Sequence, residues 1–330
     1  MFMKIFVYAM REYDELKYFE EYKKSLGFEY SYTTEYPSLE NAELAKGYDG
    51  INIITNHINK ELLDKYKALG IKYIATRTIG YEHIDTKYAK SIGIKVCNVT
   101  YSPNSVANYT IMMMLMACRK MSYILNKANI QDFSLHGKIG KEISCCTIGI
   151  IGTGRIGSTV IKHLSSFGCK ILAYDIYPKK EISDFATYTD LDTIYKNSDI
   201  ISLHAPATCE NYHMINKDAF NIMKDDVIII NAARGSLIDT KALIDALKNK
   251  KVGFAALDTI EYEKGLYYFN LEKEIISNDD RAILLSFPNV ILSPHMAFYT
   301  EEAVSNMVGN SVKGLIKFEN NEPNEFEVEY

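Results

Sequence analysis

Three glycines at the spacing G-x-G-x-x-G (Gly152, Gly154 and Gly157) follow the apolar run Thr147–Ile151 and lead into a helix-like segment, Ser158–Phe167. Gly152 permits a tight turn that a side chain would resist, and Gly154 lets backbone approach a pyrophosphate. Gly157 lets the helix pack against its strand. The helix start then presents free N–H groups and partial positive charge to the phosphates. A second apolar run, Lys170–Tyr174, ends in Asp175. An acid about 20 residues beyond the glycines is where an adenosine ribose diol would be gripped. Strand, glycine loop, helix and terminal acid together predict a dinucleotide site. Asp175 favours NAD over NADP, because its carboxylate repels a 2′-phosphate.

The same alternation runs through the whole chain of 330 residues. Strand-like runs at Lys4–Tyr8, Gly50–Thr55, Tyr73–Thr76 and Lys95–Asn98 are separated by helix candidates at Tyr13–Leu26, Lys60–Leu69 and Thr86–Ile92. Such alternation means βαβ units and a parallel sheet. A long helix is expected from about Asn104 to Ile124, with Ser102 as its N-cap and Pro103 in its first turn. The cluster Met112–Met116 reads as a helix buried on most sides. After the glycine loop, strands follow at Ile200–His204, Val227–Asn231, Gly253–Leu257 and Val290–Ser293. That second pattern is complete near residue 294, so the helix Thr300–Glu319 is surplus to it and is expected to return to the first domain. The polar, acidic tail from Asn320 reads as a solvated end. The expectation is an α/β protein of two doubly wound parallel-sheet domains, Rossmann-like or flavodoxin-like, with an interdomain cleft. Residues 1–100 with 299–330 would form a substrate-binding domain, and 101–298 the NAD-binding domain.

Charge and composition exclude other classes. The formal net charge of −5 with dispersed lysines offers no basic patch for nucleic acid. The longest apolar run, Ile111–Cys118, is too short to span a bilayer, and the amino-terminal segment lacks the pattern of a signal peptide. The six cysteines show no C-x-x-C spacing, so they read as reduced residues of a cytoplasmic protein, without metal.

Three groups stand at the ends of expected strands in the second half, where open α/β sheets bind ligands. Arg234, beside Gly235, follows Val227–Asn231 and suits bidentate capture of a small carboxylate. Asp258, Glu261 and Glu263 follow Gly253–Leu257, and His295 ends the last strand. A histidine held by a carboxylate can give a proton to a carbonyl oxygen. His204 closes a strand before Pro206 and would border the cofactor; His57 and His83 fall in first-domain loops. His136, His163 and His213 read as surface residues.

Thr76–Asp85, Tyr101–Ala107, Gly152–Gly157, His204–Pro206, Asn231–Gly235, Leu257–Glu263 and Ser293–Thr300 together resemble the D-specific 2-hydroxyacid dehydrogenases. The likeness is nearest to D-lactate dehydrogenases, including the vancomycin-resistance type. It implies that Arg234 binds the substrate carboxylate and carbonyl, that His295 is the acid/base, and that Glu263 pairs with His295 and favours its protonated form. It also implies that backbone amides at Ile79 and Gly80, with Tyr101, hold the carboxylate, and that Phe298 and Tyr299 border the substrate side chain. Arg155, Ile156, Asp175, Ala205, Pro206, Asn211, Ala232, Ala233 and Asp258 match NAD-contacting positions. The implied activity is NAD-dependent interconversion of a small 2-oxo acid and its D-hydroxy acid, pyruvate and D-lactate first, in a homodimer or higher homo-oligomer. Larger 2-oxo acids, glyoxylate or hydroxypyruvate are alternative substrates, and an NAD-sensing corepressor is the alternative class. Two departures stand out. Tyr262 replaces the usual glycine between Glu261 and Glu263, and Ile54 stands where many D-lactate enzymes narrow the pocket with a tyrosine.

Overall fold

The computed structural model describes residues 2–328, which form two compact units. One holds the chain up to Ser102 together with that from Tyr299 onward; the other runs Pro103–Phe298. Each is a wholly parallel sheet between helices, and the reason lies in the strands. Runs such as Val227–Asn231 and Ile200–Leu203 are buried on both faces along their length, which only helices on both sides of a sheet can satisfy.

The first unit contains β1 (Lys4–Val7), β2 (Glu29–Tyr32), β3 (Gly50–Ile53), β4 (Tyr73–Thr76) and β5 (Lys95–Cys97), ordered β2-β1-β3-β4-β5. That is the flavodoxin-like order. Ile51, Ile53, Ile74 and Val96 face one core, while Ile5, Val7, Ala75 and Cys97 face the other with Val308 and Val312 of the helix Glu301–Glu319. Asn52 donates to Ser311 of that helix at 2.8 Å, both buried.

The second unit contains β6 (Thr147–Ile151), β7 (Lys170–Tyr174), β8 (Thr187–Tyr188), β9 (Ile200–Leu203), β10 (Val227–Asn231), β11 (Val252–Leu257) and β12 (Val290–Leu292). Their order, β12-β11-β10-β9-β6-β7-β8, reverses direction between β6 and β9, as in the doubly wound dinucleotide-binding fold. The glycine loop leaves β6 and His204 leaves β9, so both stand at that switch point.

Several sequence expectations need correction. β2 and β8 are edge strands that hydropathy does not announce: Glu29–Tyr32 is polar and largely exposed, and β8 has two residues. The expected long helix breaks in two, Asn104–Cys118 and Met121–Asn129, because Lys120 turns left-handed at φ 51°. Its cap position falls on Pro103 rather than Ser102. Met113 and Met114 are buried, but Met112 is 42% exposed, so that helix has an uncovered apolar side. The tail is also more than a solvated end. Phe326 and Val328 are buried, and their backbone meets Asn98 and Val96 beside β5; Glu329 and Tyr330 lie outside the described residues. Cys97, Cys118 and Cys146 are buried, whereas Cys145 and Cys209 are exposed. Among the described residues, no helix is long and apolar enough to cross a membrane.

Candidate active site

Asn231, Leu257 and Leu292 lie in one row across β10, β11 and β12. Arg234, Glu263 and His295 follow that row at three neighbouring strand ends. His295 Nδ1 is 2.7 Å from Glu263 Oε1, and Glu263 Oε2 accepts from the Ile260 amide at 3.1 Å. Each side chain of the pair is about a quarter exposed, at 26%. With Nδ1 donating to the carboxylate, Nε2 is the nitrogen left to exchange a proton with a reactant.

Asp258, fully buried, holds the chain around His295. Its two carboxylate oxygens accept from the amides of Met296 and Ala297, each at 2.8 Å, and from Ser293 Oγ at 2.6 Å. Its carbonyl accepts the His295 amide at 2.8 Å. This grip maintains His295 at φ 54°, a left-handed conformation that histidine tolerates better than most residues. Tyr268, which the sequence did not flag, donates its hydroxyl to the His295 carbonyl at 3.1 Å, with its ring centroid 6.1 Å from the imidazole. Phe298 stands 6.5 Å from the same imidazole.

The Arg234 loop is set by the buried Asn231, whose amide group donates to the Arg234 carbonyl at 2.9 Å and accepts from Ala233 N at 3.0 Å. Arg234 Nη1 donates to the Ala233 carbonyl at 2.9 Å. Gly235 is required by contact: a Cβ there would lie 2.0 Å from the Ile260 carbonyl carbon and 2.5 Å from Glu261 N. The loops that carry Arg234 and Glu263 therefore touch backbone to backbone.

Glu261 anchors the same segment. Oε1 meets His213 Nε2 at 2.7 Å, and Oε2 accepts from Thr240 N at 3.0 Å and Thr240 Oγ1 at 2.7 Å. His213 is thus a hydrogen-bond partner of Glu261, with its ring stacked on Tyr212, rather than the surface residue expected. Tyr262 sits between the two glutamates at φ 59° with its side chain 74% exposed. A non-glycine residue there costs on the order of 1 kcal/mol, and the Glu263–His295 contact forms nonetheless.

At the switch point, a Cβ on Gly152 would come within 2.6 Å of His204 C, and one on Gly157 within 2.0 Å of Gly152 O, whereas one on Gly154 would meet nothing within 4 Å. The loop is packed where it must turn and open where a phosphate would approach, so these residues fit a dinucleotide. Arg155 and Ile156 begin the helix Arg155–Leu164, whose first amides face that opening. Ala205 and Pro206 follow His204 beside the glycine loop. Ala232 and Ala233 form the turn after β10. Asn211 closes its own loop, donating to Pro206 O at 2.7 Å and accepting from Thr208 N at 2.8 Å.

In the first unit, Asn98 donates to the Ile79 carbonyl at 2.7 Å and Thr78 Oγ1 to the Gly80 carbonyl at 2.6 Å. Both carbonyls of the expected carboxylate loop are thereby held. Tyr101 is half-buried two residues beyond Val99, whose amide meets Thr78 O. Tyr299 donates to Asp14 at 2.5 Å, with the Arg11 guanidinium 5.9 Å from its ring.

Burial lowers the pKa of both His83 and His204 from 6.5 to about 4. Their ring nitrogens meet Thr76 Oγ1 at 3.1 Å and Ser202 Oγ at 2.9 Å. Depressed histidine pKa values contribute stability that is complete above 6.5 and lost as pH falls toward 4, at most about 1.4 kcal/mol per pH unit for each ring. Urea midpoints measured from pH 7 to 5 should therefore fall, and less steeply in the His83→Gln/His204→Gln variant. Parallel slopes for the two proteins would remove both rings from the account.

The family model described as "D-isomer specific 2-hydroxyacid dehydrogenase, NAD binding domain" matches residues 111–297. The chain belongs to the D-isomer specific 2-hydroxyacid dehydrogenases. This dehydrogenase is 47% identical to the aromatic 2-oxoacid reductase of Clostridium sporogenes over 96% of both chains. It is 39% identical to the D-lactate dehydrogenase of Lactiplantibacillus plantarum, again over 96% of both. Among solved structures, that of D-2-hydroxyisocaproate dehydrogenase superposes with a TM-score of 0.91 at 39% identity, covering 99% of each chain. The dehydrogenase's cofactor is NAD, and its second unit carries the NAD-binding domain.

Proposed function

We propose that this dehydrogenase uses NADH to reduce 2-oxo acids with bulky, including aromatic, side chains to their D-2-hydroxy acids, and that pyruvate is a poorer substrate. The observation carrying the reading is Ile54. It directly follows β3 and is buried at 8% exposure, an aliphatic residue without a hydroxyl where many D-lactate enzymes place a narrowing tyrosine. The similarity to an aromatic 2-oxoacid reductase supports the same reading.

Arg234 pairs with the substrate carboxylate and polarises the carbonyl, and the amides of Ile79 and Gly80 with Tyr101 assist from the first unit, its substrate-binding part. Held at the glycine loop Gly152–Gly157 and the start of the helix Arg155–Leu164, NADH would supply the hydride that the carbonyl carbon accepts. His295 Nε2 supplies the proton to the carbonyl oxygen, while Glu263 at Nδ1 balances the imidazolium charge. Phe298 and Tyr299 border the side chain.

The test is kcat/KM with NADH for pyruvate, 2-oxoisocaproate and phenylpyruvate. Phenylpyruvate should exceed pyruvate by about tenfold or more, the scale on which apolar pockets discriminate. Ile54→Tyr should lower that ratio by about 10- to 100-fold. A wild-type preference for pyruvate would instead support a D-lactate dehydrogenase, the second reading, which the 39% identity to one favours.

A further inference from the structure

Asp175, at the end of β7, is tied to a chain of hydrogen bonds that runs one way. The Lys179 amide donates to Tyr188 Oη at 3.0 Å, the Tyr188 hydroxyl to Thr153 Oγ1 at 2.8 Å, and the Thr153 hydroxyl to Asp175 Oδ2 at 3.1 Å. Its ends force this direction. A backbone N–H can only donate and a carboxylate oxygen only accepts, so each hydroxyl between them passes its single proton forward. Two backbone amides add to the grip, Thr153 N to Oδ2 at 2.5 Å and Tyr177 N to Oδ1 at 2.8 Å.

Thr153 lies inside the glycine loop and is fully buried. Tyr188 comes from β8, the two-residue edge strand that pairs it with Ala173 of β7. Chains of this kind polarise each member and strengthen every bond in them. A carboxylate held this firmly cannot swing aside to admit a 2′-phosphate, yet Oδ1, which accepts from the Tyr177 amide alone among these donors, keeps acceptor capacity for a ribose hydroxyl.

We propose that Tyr188 and Thr153 are positioning residues for cofactor selection, locking Asp175 so that the site prefers NADH to NADPH. This inference rests on Asp175 being the residue that meets the ribose diol. Dissociation constants for NADH and NADPH, read from ligand fluorescence and from thermal protection, test it without turnover. Tyr188→Phe should weaken NADH about three- to tenfold, the value of one hydrogen bond, and leave NADPH unweakened, so the selectivity ratio falls by the same factor. Thr153→Val should do the same, whereas Thr153→Ser, which keeps the hydroxyl, should stay within about twofold of wild type. A ratio unchanged in both Tyr188→Phe and Thr153→Val, even with a lowered melting temperature, would make the chain merely structural and overturn the proposal. Equal affinities of the wild type for the two cofactors would instead sink the role of Asp175, and the proposal with it.

Discussion

His295→Asn is expected to lower kcat for 2-oxo acid reduction by about 10²- to 10⁴-fold while changing KM far less, the usual value of a positioned general acid. Asparagine is the informative replacement. Like histidine it accepts left-handed backbone, so φ 54° and the Asp258 grip on the loop should survive. What disappears is the transferable proton at Nε2 and the charge opposite Glu263. Single-turnover and steady-state rates with NADH would measure the effect, with circular dichroism and NADH affinity as controls for the fold. A kcat within tenfold of wild type would exclude His295 as the proton donor.

The second large effect concerns stability. Arg77 and Glu15 form an ion pair with no exposed side-chain surface. Arg77 Nε and Nη2 donate to the two Glu15 oxygens at 2.9 and 3.2 Å, Nη1 to Asn52 Oδ1 at 2.9 Å, and Nη2 to the carbonyls of Tyr8 and Ala9 at 3.2 and 3.0 Å. Burial lowers the Arg77 pKa, and Glu15 opposes that shift. Arg77→Met would leave Glu15 buried with Arg11, at 3.0 Å, as its one remaining cationic partner among the described residues. The expected loss is about 3–5 kcal/mol, and Arg11 places it toward the lower end. Because the cost comes from an uncompensated charge, Arg77→Met/Glu15→Leu should recover much of it. Urea unfolding of the four proteins in the cycle measures this; a loss below about 1 kcal/mol in the single variant would contradict the burial argument.

How much of this was legible in the sequence varies by feature, for physical reasons. The glycine loop could be read because its constraints are local. Gly152 and Gly157 are demanded by backbone contacts within the same strand–turn–helix unit or with the next strand end. Doubly buried strands announce themselves by unbroken apolar runs. The Glu263–His295 pair was reachable through its motif, and the two side chains meet at 2.7 Å. Glu261 with His213, Tyr268 on the His295 carbonyl and Asp258 under the His295 loop were not reachable as contacts. Each joins segments dozens of residues apart with no repeating spacing. The break at Lys120 was equally hidden, since a basic residue marks a helix end only weakly and nothing in a lysine announces a left-handed turn.

By itself, the sequence determined the class of fold and the strand–glycine loop–helix unit, and it named the side chains proposed for the chemistry. Hydrophobic period and glycine spacing act over a few residues, and the chain states them outright. Only the tertiary structure decided the edge strands β2 and β8, the fate of the tail beside β5 and the partners of each buried polar group. A polar segment becomes a strand, and a histidine or tyrosine becomes an anchor, only when another part of the chain supplies the missing donor or acceptor.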